Sequence, residues 1–382
     1  MGGRSALTRN QAQRARRLGG AVADQLTRRG ARRMRALQAA PGGRLRWREV
    51  AAPPAPPPDG AIVHPIAAST CDMDCPLALG ATLFALPLHL GHECVAEVLS
   101  VGERVTAVRP GDRVVVPFQI SCGGCEACRA GRTGSCTAVP PVSMYGFGLL
   151  GGHWGGAFSD ELAVPYADAM LVPLPDGIDP VEAASVADNV CDAYRHVAPH
   201  LPALLERDPD AQVLILGAVS RRMLFSASLP LYTGLVARAL GARNIRLADA
   251  RPAVRAHAQR LGLDAQHPRE LRRRPPAPLV VDCSVSGLAL ALSRTAPDGV
   301  CTSAGSLHRS ARIPLLAMYA RNVTLHVGRA HVRTLIPGVL ALMSEGRLAP
   351  GSLPAVVAPL DAAPSVLSEH FRGGGVKAIL TA

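Results

Sequence analysis

Gly91-His92-Glu93 opens the decisive stretch, and Ser121-Cys122-Gly123-Gly124-Cys125-Glu126-Ala127-Cys128 with Cys136 closes it. The four cysteines read C-x2-C-x2-C-x7-C. Four thiolates this close in sequence can surround one tetrahedral Zn²⁺ and leave no position open, as structural zinc sites do. Gly123 and Gly124 let the backbone turn sharply enough to aim several sulfurs at one point. Disulfides are one competing reading, but a long, core-rich chain without a secretion signal favours metal. An iron–sulfur cluster is another. Its runs close with a shorter gap and a proline after the fourth cysteine, whereas here Thr137 follows. Chance clustering is the third. The spacing therefore predicts a structural zinc on Cys122, Cys125, Cys128 and Cys136.

Composition narrows the function classes. The chain has 382 residues, 48% of them hydrophobic, enough for two domains with real cores. Mean hydropathy is +0.18, which excludes a disordered protein. No apolar run is long enough to span a bilayer, so no membrane partner is expected. Aromatic residues are only 3%, leaving few rings to stack nucleobases. The formal charge of +12 is concentrated in residues 1–33, whose nine arginines and Asp24 leave +4 for the rest. Lys377 is the only lysine. Such bias marks a genome more than a binding surface, and nucleic acid is not expected as a partner. Ten cysteines without a signal peptide point to a reducing, cytoplasmic setting.

Along the chain, residues 1–33 read as a basic, disordered extension, with a weak amphipathic pattern over Gln11 to Gln25. From Leu45 the pattern alternates towards strand. Proline-rich Ala51 to Asp59 excludes helix. Ala61 to Ile66, Cys94 to Val101 and Asp112 to Phe118 read as strands, with Pro110-Gly111 as a turn. This pattern predicts a small barrel-like β domain. After Pro175-Asp176-Gly177 the period changes. Val181 to Ala198 is helical in spacing, and Gln212 to Leu216 is an apolar strand ending at Gly217. Helices to Leu240 and Leu261 alternate with strands at Asn244 to Ala248, Leu279 to Asp282, Val300 to Ala304 and Val323 to Val327. Alternation of this kind predicts a doubly wound parallel sheet.

Gly91-His92-Glu93, Gly111-Asp112-Arg113-Val114 and the four-cysteine lobe together resemble the zinc-dependent medium-chain alcohol dehydrogenase family. The likeness runs from about Met34 to the C-terminus. It implies an α/β chain in parts: a GroES-like β-rich catalytic domain over 34–176 and a Rossmann domain over 177–328. Residues 329–382 would return to the catalytic domain. It also implies a second, catalytic zinc held by Cys71, His92 and Asp188. Cys71 lies in Thr70-Cys71-Asp72-Met73-Asp74, and Asp188 in Ala187-Asp188-Asn189-Val190, where relatives carry Cys or Asp. Three protein ligands leave the fourth position for substrate oxygen. Asp74 and Glu93 would be carboxylates that orient the ligands. The implied reaction is zinc-assisted hydride transfer between an alcohol and its aldehyde or ketone and NAD(H). One departure stands out: Met73 occupies a place where the family often has Ser or Thr to relay a proton, and a thioether has none to pass. Phe147, Leu149 and Trp154 are candidates to line a substrate pocket or to pack the core. A dimer or tetramer is the family expectation.

The resemblance breaks at one place. After Gly217 comes Ala218-Val219-Ser220-Arg221-Arg222-Met223-Leu224-Phe225, then Ser226 to Tyr232, with Pro230 where glycine is usual. About five residues are inserted against the family's spacing. The cofactor set expected here is Gly217, Ser228, Leu229, Asp249, Arg255 and Gly305. Ser228 would be the N-cap of the following helix, which would accommodate Pro230 in the first turn. Arg221 and Arg222 either grip phosphate or are solvated. Asp249 would hold ribose hydroxyls, favouring NAD over NADP. The other reading is a catalytically silent, zinc-stabilised member whose dinucleotide site has decayed.

Overall fold

The computed structural model describes residues 32–304, 310–373 and 375–382. The extension through residue 31 and Gly305 lie outside the described residues. The chain forms two compact units. One takes the described residues through Asp188 together with His331–Ile336 and Val356–Ala382; the other takes Asn189–Ala330 and Pro337–Ala355.

The first unit is built on short strands: β1 (Arg33–Ala40), β2 (Arg44–Ala51), β3 (Ala61–Ser69), β4 (Leu88–His89), β5 (Glu93–Val101), β6 (Arg113–Val116), β7 (Leu162–Val164) and β8 (Val172–Pro173). The second unit supplies β9 (Val213–Leu216), β10 (Ile245–Ala248), β11 (Asp264–Gln266), β12 (Ala277–Asp282), β13 (Thr295–Ser303) and β14 (Thr324–Val327). The chain closes with β15 (Ala355–Pro359) and β16 (Lys377–Thr381).

In the first unit β2-β1-β4 form a small sheet, and β15-β16-β3-β5-β6-β8 form a larger one that β7 joins by pairing with β3. β3 and β5 lie at its centre; β3 is mostly buried, and β5 is buried over Glu93–Ala96 and opens to solvent toward its end at Leu99. Pro65 cannot donate to the ladder, and the register shifts between Pro65 and Ala67. Beyond that shift Ser69 stands opposite Glu93. On the other side of β3, Ile379 of β16 stands opposite Ser69. The register thus brings the starts of β5 and β16 to the end of β3.

In the second unit every pairing is parallel, in the order β11-β10-β9-β12-β13-β14. This is the doubly wound dinucleotide-fold order, with the winding direction reversing at β9. Val213-Leu214-Ile215-Leu216 is wholly buried, as a strand covered on both faces requires.

Two expectations are corrected. The helical stretch Val181 to Ala198 is not one helix. It divides into Pro180–Ala183, a π-helical turn Val186–Val190, and Cys191–Val197. Ser228 is not the N-cap of its helix. It is the first residue of Ser228–Ala239, whose N-cap is Ala227. Pro230 is then third in the helix, still within the turn that tolerates proline. The Ser228 hydroxyl donates to Asn189 Oδ1 at 2.7 Å instead of capping.

Candidate metal centres and dinucleotide site

Cys71, His92 and Asp188 come from three distant points of the chain, yet one ligand atom from each lies within 4.8 Å of the others. Three local devices place them. Asp74 Oδ2 accepts the Cys71 backbone N–H at 2.7 Å, which shapes the turn after β3. Gly91 has φ +93, and a Cβ there would sit 2.5 Å from the Phe158 nitrogen, so only glycine lets His92 start inward. The π-helical turn carries Asp188; such widened turns recur at functional positions.

The electrostatics of this pocket call for a cation. His92 Nε2 lies 3.4 Å from Asp188 Oδ2, and Nδ1 lies 3.6 Å from Asp74 Oδ1. Neither ring nitrogen makes a hydrogen bond, and neither does Asp74 Oδ1. Burial works against an imidazolium, but Asp74 and Asp188 outweigh it and hold His92 at about 9. Burial pushes the Cys71 thiol up, and Asp188, Glu93 and Asp74 push it further. A thiolate at Cys71 therefore needs a nearby positive charge. A divalent ion bound to His92 Nε2, Cys71 and Asp188 would meet the orphaned nitrogen and sustain the thiolate together, so the residues fit zinc. Phe147 and Phe118 pack on the His92 ring, with centroids at 4.9 Å and 5.8 Å.

Glu93 faces the other way. Its Oε2 accepts from Lys377 Nζ at 2.7 Å and from the Ser69 hydroxyl, which also lies 3.1 Å from the Ser185 hydroxyl. Both charged side chains are buried, Lys377 at 1% exposed. Burial pushes the Glu93 carboxyl up, and Lys377 draws it back. Lys377 was legible as the only lysine in an arginine-rich chain, but nothing in the sequence tied it to Glu93. Ser69 and Ser185 carried no signal at all.

The four lobe cysteines also converge, their sulfurs within 4.8 Å of one another. All are free thiols. Cys125 Sγ and Cys136 Sγ stand 3.9 Å apart, close to the edge of about 3.8 Å for a tetrahedron with Zn–S bonds near 2.3 Å. Backbone N–H groups point at the sulfurs: Cys125 N–H donates to Cys122 Sγ at 3.3 Å and Cys122 N–H to Cys136 Sγ at 3.4 Å. The N–H groups of Thr137 and Cys128 hold the Cys125 thiol well below its ordinary range, whereas burial pushes Cys122 and Cys128 up. These residues fit a closed zinc site.

The cofactor candidates are arranged differently from the expectation. Gly217, Ser228, Leu229, Asp249 and Arg255 all fall at the carboxyl ends of β9 and β10 or in the adjoining helices, Leu229 next to Ser228 in the first turn. The Asp249 side chain is fully buried, and both its oxygens already accept from protein donors. A Cβ at Gly217 would lie 2.4 Å from Asp249 Oδ2, so that glycine makes room for the carboxylate. Arg221 and Arg222 are exposed. The sheet order and the helix starting at Ser228 fit a dinucleotide; the ribose corner does not offer the free carboxylate that was expected. Arg251, which the sequence did not single out, occupies that corner.

Of the pocket candidates, Phe147 is buried against His92, Leu149 is 45% exposed, and Trp154 lines a separate cavity of about 520 Å³ with Met34, Val50 and Ile62.

The alcohol dehydrogenase GroES-like domain model matches residues 57–176. The chain is 32% identical over 211 residues to a glutathione-independent formaldehyde dehydrogenase of Pseudomonas aeruginosa, a match covering 54% of this chain and 50% of that protein. It thus spans about half the length of that relative. It is 29% identical to a probable zinc-binding alcohol dehydrogenase of Mycobacterium tuberculosis, covering 89% of this chain and 86% of the relative. Alcohol dehydrogenase from Thermus sp. ATN1 superposes with a TM-score of 0.78 at 29% identity, covering 91% of this chain and 99% of that one.

Proposed function

We propose that the chain is an oxidoreductase of the zinc-dependent medium-chain alcohol dehydrogenase kind, which interconverts an alcohol with its aldehyde or ketone, a reading supported by its similarity to such enzymes. The observation that carries the reading is the convergence of Cys71, His92 and Asp188 around a nitrogen with no other partner. Two zinc ions per chain are proposed, one at each cluster. When bound, zinc supplies Lewis acidity toward the substrate oxygen, and the nicotinamide accepts the hydride.

The chain's own residues do the rest. Cys71, His92 and Asp188 would hold the catalytic ion, while Asp74 fixes the Cys71 turn and faces His92 Nδ1. Phe147 and Phe118 keep water off the His92 ring. In the oxidation the alcohol carbon loses a hydride and its hydroxyl loses a proton. Met73 cannot take that proton, so it leaves through water or a neighbouring carboxylate. The test is elemental analysis of the purified chain together with alcohol-dependent reduction of a nicotinamide, followed by absorbance. Two zincs with turnover are expected. Two zincs with no dinucleotide bound would instead describe a silent scaffold.

The chain is also proposed to form a homo-oligomer through the second unit. β14 is the outer strand of its sheet, and an outer strand offers unpaired backbone groups to another chain. Beside it Leu315, Leu316, Tyr319 and Val327 are 67%, 81%, 85% and 59% exposed. Leu316→Asp combined with Tyr319→Asp should convert a dimer or larger species to monomer in light scattering. A monomeric parent protein would end this proposal.

A further inference from the structure

We propose that the cavity beside Trp154 is a second small-molecule site, which takes an uncharged apolar molecule carrying an oxygen acceptor, such as an ester or lactone. The cavity lies wholly within the first unit and encloses about 520 Å³. None of Cys71, His92 and Asp188 belongs to its wall. Sites that hold small molecules typically enclose about 300–1,000 Å³.

The wall selects an apolar body. Met34 and Val50 stand opposite each other on β1 and β2, and both reach the cavity. Ile62 and Leu88 add to this surface. The proline-rich segment after β2 closes another side through Pro53, Pro54 and Pro57. A proline has no backbone N–H, so this side offers few donors.

Charge is cancelled or suppressed around the wall. Its one carboxylate, Glu161, is already matched: Arg32 Nη1 and Nη2 donate to its two oxygens, each at 2.5 Å. The other titratable groups in the wall are His89 and His153. Burial pushes both imidazoles below their ordinary range, and His153 lowers His89 further. At neutral pH no free charge remains in the wall. A charged ligand would lose its hydration there without gaining a counter-ion.

Two polar atoms supply the handle. Trp154 Nε1 and His89 Nε2 are buried and have no hydrogen-bond partner among the described residues. An indole N–H can only donate, so its complement is an oxygen acceptor. The loop that carries the indole is held in shape before any ligand arrives. His153 has φ +59, a conformation that a non-glycine residue keeps only when its surroundings impose it. Its N–H donates to the Gly148 carbonyl at 3.0 Å. A Cβ at Gly152 would lie 2.6 Å from Trp154 Nε1, so the glycine makes room for the indole.

The experiment uses the full chain carrying Trp47→Phe, which leaves Trp154 as the only tryptophan, and follows its emission. Three probes share one ring: methyl cyclohexanecarboxylate, cyclohexanecarboxylate and methylcyclohexane. The ester should shift the emission saturably. The carboxylate should bind about tenfold or more weakly, because its charge is stripped of water. The hydrocarbon should bind about threefold or more weakly, for want of the acceptor. Met34→Phe combined with Val50→Phe fills the cavity from β1 and β2 and should weaken the ester about tenfold. Ala55→Phe, at an exposed position of the wall, should also weaken it and serves if the double variant fails to fold. Three results overturn the proposal: an emission unmoved by the ester, a carboxylate that binds as tightly, or an affinity indifferent to the cavity-filling variants. Each leaves the oxidoreductase reading standing, because the wall contains no ligand of either metal cluster.

Discussion

His92→Ala should remove one zinc per chain and reduce alcohol oxidation to background, while the cysteine lobe keeps its own ion. The histidine supplies a buried nitrogen that nothing else in the pocket satisfies, and two remaining ligands rarely hold zinc against water. Cys125→Ser should give the reciprocal result. It removes a sulfur from the closed site and lowers stability, because a structural ion contributes folding free energy directly, but it leaves the buried centre loaded. Elemental analysis of the two variants reads both losses. Cobalt substitution would show which site is filled, since thiolate-rich and mixed-ligand centres absorb differently. Unchanged turnover in His92→Ala would remove the buried centre from the reaction.

Lys377→Met should cost about 3–5 kcal/mol of stability, the usual penalty for leaving one member of a buried pair without its partner. Glu93 is 0% and Lys377 1% exposed, so water cannot replace the lost ammonium. The neighbouring carboxylate of Asp188 makes the unpaired Glu93 less favourable still. Adding Glu93→Gln should recover most of the loss, because a neutral amide can still hydrogen-bond Ser69 and carries no charge. Urea unfolding of the single and double variants measures the coupling. A loss below about 1 kcal/mol, the range of exposed pairs, would mean that solvent reaches Glu93 after all.

Much of the chemistry was readable before folding was considered. Four cysteines within fifteen residues must lie near one another wherever the segment goes, so the lobe needed only local geometry. The alternation of apolar strands with helical periods after Gly177 was enough for a parallel sheet, because covered strands such as Val213–Leu216 have no polar face to alternate. Cys71, His92 and Asp188 could be named from motifs, but their meeting is a property of the packed unit. It depends on the β3–β5 register and on a π-helical turn that helical periodicity over Val181 to Ala198 does not reveal.

The ribose corner and the Glu93–Lys377 pair were decided by tertiary structure alone. Asp249 in sequence is an acid after a strand, which suits a diol. Only folding shows that Arg251, two residues on, and Ala218, thirty-one residues back, already fill its oxygens. Lys377 lies 284 residues from Glu93, beyond any local pattern. Short-range spacing determines which groups can be neighbours along one segment. Charge pairing across strands depends on register and burial, and these exist only once the chain has closed on itself.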